Sequence, residues 1–165
     1  MIIGEEEIPN ERALLTQEDG PMMASSTSVK YIVIHCSATR STRDYTAEQL
    51  LRDHKTRGFL TVGYHFYIRR DGSVTQHRKL LEVGAHCRPW NRCSIGICYE
   101  GGLDADGRPA DTRTPEQTEQ FILLLMRMVK IFPGVRIRGH RDMPGSIPKA
   151  CPCFDAEGVF GYLEK

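Results

Sequence analysis

Three side chains far apart in the chain, His35, His140 and Cys151, are of the types that bind a soft divalent ion. Zinc takes neutral imidazole nitrogen and thiolate sulfur, and a hydrolytic zinc site keeps three protein ligands with a fourth position open for water. The segments ahead of the two histidines explain how they could meet. Tyr31-Ile32-Val33-Ile34 is an apolar run of strand length with His35 where it would leave the sheet, and Val135-Arg136-Ile137-Arg138 followed by Gly139-His140 repeats the arrangement. Spacing alone does not fix the ligand set, because the chain has neither a His-Glu-x-x-His helix nor paired Cys-x-x-Cys knuckles. Cys153 adds a second thiol two residues after Cys151, and a site using both would be closed and structural.

The elements that must position these groups read as an α/β domain. Thr46-Ala47-Glu48-Gln49 has the form of a capping box and predicts a helix through about Arg57, closed by Gly58. A strand follows over Gly63 to Arg69, and Arg70-Asp71-Gly72-Ser73 supplies turn chemistry into a second strand near Ser73 to His77. In an alternating strand Tyr64, Phe66 and Ile68 share one face while His65 and Tyr67 share the other, so if Tyr64 faces the cleft His65 is expected to be a buried histidine or one that supports a ligand from behind. Leu80 to Arg92 lacks a period and reads as a surface loop, of the kind that carries binding residues. Ser94 to Tyr99 is a further strand. Thr114-Pro115-Glu116-Gln117 combines an N-cap, a first-turn proline and a capping glutamine, and the stripe from Thr118 through Phe121, Leu125 and Met128 to Phe132 is a core face. A short helix over about Asp155 to Leu163 closes the domain. The sum is one domain, a central mixed sheet of about five strands flanked by helices, with the site at one edge.

Composition narrows the function classes. The 165 residues are 40% hydrophobic and 26% charged, ordinary for a soluble globule, and no apolar run approaches the ~20 residues needed to span a bilayer. Residues 1–29 hold six acids and one base, a net −5, and read as a flexible leader; residues 30–165 carry +6. The mild excess would suit an anionic polymer but is more readily an ordinary solvated surface, and nothing points to nucleic acid. Met1-Ile2-Ile3-Gly4 runs straight into Glu5-Glu6-Glu7, so no secretory signal is expected. Six cysteines do not make a disulfide framework in a chain this long; Cys36 and Cys98 read as buried small hydrophobes, while a Cys87–Cys93 bridge stays open.

Val33-Ile34-His35-Cys36-Ser37, Gly63-Tyr64-His65-Phe66, Gly84-Ala85-His86, Asn91-Arg92-Cys93-Ser94-Ile95-Gly96-Ile97, Gly139-His140-Arg141-Asp142 and Lys149-Ala150-Cys151-Pro152-Cys153-Phe154-Asp155, in this order, resemble the type-2 N-acetylmuramoyl-L-alanine amidases, a family that includes phage lysozymes and peptidoglycan recognition proteins. The resemblance runs from about Lys30 to about Tyr162. It implies a zinc ion on His35, His140 and Cys151, with Cys151 preferred over Cys153, and hydrolysis of the amide joining N-acetylmuramic acid to L-alanine in peptidoglycan. It makes Tyr64 and Lys149 the catalytic pair and His86, with Asn91 and Arg92, substrate contacts. Asp142 is placed to orient a ligand or cap its loop. The expectation is a monomer, made in the cytoplasm and acting on the cell wall after release, with no membrane insertion. The competing readings are a peptidoglycan-binding module without catalysis and a regulatory protein that binds another macromolecule. The short, proline-containing spacer between His140 and Cys151, and Cys93 where relatives often carry a polar residue, are departures from the family pattern.

Overall fold

The computed structural model describes residues 21–146 and 149–165. A five-stranded sheet has the order β4-β3-β5-β1-β7, with β1 at Tyr31–Cys36, β3 at Phe66–Ile68, β4 at Val74–Gln76, β5 at Ser94–Tyr99 and β7 at Arg136–Gly139. β3, β5, β1 and β7 run parallel and β4 is antiparallel to β3. A two-stranded parallel ribbon, β2 (Thr39–Arg40) with β6 (Gly102–Leu103), lies beyond the end of β1. The helices are α1 (Ala47–Thr56), α2 (Pro115–Ile131) and α3 (Ala156–Phe160). The mixed sheet expected from sequence is therefore present, with β3 and β4 shorter than read.

Alternation along the strands sorts the two faces. Ile32, Ile34, Phe66, Ile68, Ile95, Ile97 and Tyr99 join Phe121, Leu124, Leu125 and Met128 of α2 in the main core. Burying each of these large apolar side chains stabilises the fold by roughly 1.5–3 kcal/mol. The opposite face carries Tyr67 and Cys98, covered by Leu50 of α1, and Val33, covered by Cys87 and Met143. His35 follows Val33 by two residues and so emerges on this second face, at the carboxyl end of the central strand.

Both capping boxes form as read. Thr46 and Gln49 exchange bonds at the start of α1, and Thr114 and Gln117 do so at α2. Gln117 does more than cap: fully buried, its Nε2 donates to the carbonyls of Ile68 and Glu100, tying α2 to the ends of β3 and β5. Glu100 is itself buried and accepts from Arg69 Nε at 3.0 Å and from the backbone N–H groups of Arg70 and Tyr45, which compensates its desolvation.

The expected leader divides. Residues 1–20 lie outside the described residues, whereas 21–29 pack on the domain: Met23 and Val29 are buried, Met23 N donates to Leu81 O and Val83 N donates to Pro21 O. All six cysteines carry free thiols, so no Cys87–Cys93 bridge exists; Cys87 is packed with Val33 and Met143 instead. Among the described residues, no helix is long and apolar enough to cross a membrane.

Candidate active site

The three proposed ligands come together. Their donor atoms, on His35, His140 and Cys151, all lie within 4.8 Å of one another, with His35 Nδ1 4.0 Å from Cys151 Sγ. His35 arrives on the end of β1 and His140 on the turn that follows β7, the strand paired beside it. Cys151 is brought in by its backbone: Arg141 N donates to Cys151 O at 2.9 Å, and Tyr99 Oη donates to Pro152 O at 2.6 Å from the sheet. The Cys36 N–H donates to Cys151 Sγ, 3.3 Å away, and so fixes the sulfur beside the end of β1.

Burial, with His86 and His140 nearby, pushes the His35 pKa well below the usual histidine value, so the imidazole is neutral and has a lone pair to give. Two imidazoles and a hydrogen-bonded sulfur fit a zinc-type ion by donor chemistry. Cys153 does not join them. Its Sγ turns to Gly102 O at 3.2 Å and lies 3.9 Å from Cys36 Sγ, with its backbone in the left-handed region at φ 71°. The ligand group among the described residues is these three.

A groove of about 570 Å³ opens beside the ligands, lined by Arg57, Phe59, Gly84, Ala85, His86, Arg88, Asn91, His140, Ser146 and Lys149 among others. Lys149 stands exposed on this lining. Tyr64 packs its ring 4.9 Å from that of His35, and its hydroxyl meets the Cys98 thiol. Burial first, then the thiols of Cys98, Cys151 and Cys36, hold the Tyr64 phenol well above its ordinary pKa. His65 is fully buried, as read, and its ring accepts from Gly96 N at Nδ1 and reaches Glu82 O with Nε2 at 2.7 Å. The alternation used to separate it from Tyr64 does not extend that far. The strand begins at Phe66, and residues 63–65 bend, placing Tyr64 among the residues of the second face.

The three residues read as substrate contacts fare differently. His86 lines the groove but gives its Nδ1 to His35 Nε2 at 2.9 Å. Asn91 spends its side-chain oxygen on the backbone N–H groups of His86 and Cys87. Arg92 is exposed and is not part of the groove lining. Asp142 is exposed as well. Sequence reasoning missed Arg57, Arg88 and Ser146, which share no motif and meet only because α1, the loop before β5 and the loop after β7 converge.

The model of the family described as N-acetylmuramoyl-L-alanine amidase matches residues 25–154. The chain belongs to this amidase family. It is 42% identical over 124 residues to the endolysin of Klebsiella phage KP32, covering 75% of this chain and 80% of that one. The endolysin of Escherichia phage T7 is 38% identical over 128 residues, covering 78% and 83%. Among solved structures, the endolysin N-acetylmuramoyl-L-alanine amidase LysCS from Clostridium intestinale URNW superposes with a TM-score of 0.71 at 25% identity, covering 91% of this chain and 93% of the other. The protein is thus an N-acetylmuramoyl-L-alanine amidase acting on peptidoglycan, with a ligand group able to hold a metal at one end of its groove.

Proposed function

We infer that the amidase is zinc-dependent, with the ion on His35, His140 and Cys151, and that it cuts the amide between the muramic lactyl group and the first alanine of the stem peptide. The observation that carries this is the convergence of three donor atoms within 4.8 Å at a groove that also holds Lys149. His35, His140 and Cys151 would hold the ion, which would supply Lewis acidity for hydrolysis of the amide, bringing the pKa of a water to ~7 and polarising the scissile carbonyl.

The protein's own part is positioning and charge. The Lys149 ammonium stabilises the oxyanion that develops on the attacked carbonyl. Tyr64, kept as a phenol by its surroundings, donates a hydrogen bond and does not serve as the base. His86 and Asn91 shape the groove wall, Arg92 meets the polymer outside it, and Arg57, Arg88 and Lys149 give the groove a positive lining suited to the carboxylates of a wall peptide. The protein works as a monomer on the cell wall after release from the cytoplasm.

Metal analysis of the purified protein combined with mass spectrometry of digested wall fragments tests the reading. One zinc per chain and free stem peptides beginning with L-alanine are expected. Lys149→Ala should retain zinc and lose lytic activity, and full activity in that variant rejects the assignment of Lys149.

A further inference from the structure

His86 lies outside the ligand group, yet the bonds around it determine where its proton sits. The Ser94 hydroxyl is 2.7 Å from the Trp90 carbonyl oxygen, which can only accept, so the single hydroxyl hydrogen is committed there. The same hydroxyl oxygen is 3.3 Å from His86 Nε2 and must accept, which puts a hydrogen on that nitrogen. A neutral His86 then presents a lone pair at Nδ1, and the His35 Nε2 that lies 2.9 Å away must donate to it. His35 is left with its lone pair at Nδ1, the atom 4.0 Å from Cys151 Sγ.

The His86 ring is held for this task. A Cβ on Gly96 would come within 2.8 Å of the His86 ring, and one on Gly84 within 2.7 Å of it, so two glycines bound the slot it fills. Asn91 fixes the loop from behind by accepting from the backbone N–H groups of His86 and Cys87, at 2.9 and 2.8 Å. The bonds run from His35 through His86 and Ser94 to a main-chain carbonyl, all donating in one direction.

We propose that Ser94 and His86 are positioning residues that fix the tautomer and ring orientation of His35, so that its Nδ1 lone pair faces the metal position before any ion arrives. The proposal rests on His35 being a ligand and adds the groups that make it a ready one. Partners that orient a metal-binding histidine typically contribute 10–100-fold to metal affinity.

Long-range proton–nitrogen correlation spectra of the metal-free wild-type protein at neutral pH report the tautomer directly. A proton on Nε2 of both His35 and His86 is expected, and a proton on His35 Nδ1 overturns the proposal. Zinc affinity measured by chelator competition gives the second test. His86→Leu should bind zinc 10–100-fold more weakly, and His86→Gln, whose amide oxygen can accept from His35 Nε2, should recover much of the loss. Equal zinc affinity in the wild type and His86→Leu also overturns it. If the wild type binds no zinc, the ligand reading itself fails, and the tautomer in the metal-free protein still decides this one.

Discussion

His65 offers a measurable consequence of burial that is independent of the metal. Burial pushes its pKa down from 6.5 to about 4, opposed by its bond to Glu82 O and reinforced by Arg78 nearby. The unfolded chain therefore binds a proton on this residue between pH 6.5 and 4 that the folded protein refuses. The resulting stability is fully present above pH 6.5 and is lost as pH falls towards 4. A difference of about 2.5 units at 1.36 kcal/mol each amounts to roughly 3 kcal/mol, a large part of a typical domain's 5–15 kcal/mol. His65→Asn keeps an acceptor for Gly96 N and cannot titrate, so it removes the pH dependence along with the bond to Glu82 O. Denaturant unfolding of both metal-free proteins across pH 4 to 7 should show the wild type losing stability about 1 kcal/mol per pH unit faster than the variant in the middle of that window. Parallel curves would refute the argument that the buried ring is held neutral.

Four further outcomes follow from the geometry. Loading the metal-free protein with zinc at about a thousand times its dissociation constant should add ~4 kcal/mol, seen by calorimetry as a melting temperature higher by roughly 8–16 °C; an unchanged melt with zinc bound would mean that the ligands are equally available in the unfolded chain. Arg57→Ala with Arg88→Ala should raise KM for wall fragments about 5- to 30-fold, leave kcat nearly unchanged and flatten the salt dependence, since two screened contacts contribute ~1–2 kcal/mol together. Thr114→Ala should cost about 1 kcal/mol in chemical denaturation by removing a helix cap. Gln117→Leu should cost more, about 2–4 kcal/mol, because it also takes the Gln117 amide donor from the buried Glu100 carbonyl and leaves the Ile68 carbonyl with the Glu100 N–H alone.

Local signals carried much of this architecture into the sequence. Thr114 and Gln117, three residues apart, place the start of α2 without reference to anything distant, and Thr46 with Gln49 does the same for α1. The ligands were legible for a related reason, since His35 and His140 each end an apolar strand and parallel neighbours end on the same side of a sheet. What stayed hidden depends on chain separation. His35 and His86 are 51 residues apart and meet through a loop with no period, so nothing local distinguishes an orienting histidine from a substrate contact. Residues 21–29 likewise have no pattern of their own and borrow order from Leu81 and Val83.

One signal for the His86 arrangement was nevertheless present. Gly96 interrupts a β5 that is buried at every position, and a glycine in a central strand weakens it unless something must approach the backbone closely. Here that something is the His86 ring, 2.8 Å from where a side chain would begin. Gly96→Ala should therefore act at a distance: the added methyl displaces the His86 ring, the acceptor for His35 Nε2 moves with it, and zinc affinity falls although no ligand has been touched. Zinc affinity equal to wild type in a folded Gly96→Ala protein would show that the two rings are not mechanically coupled.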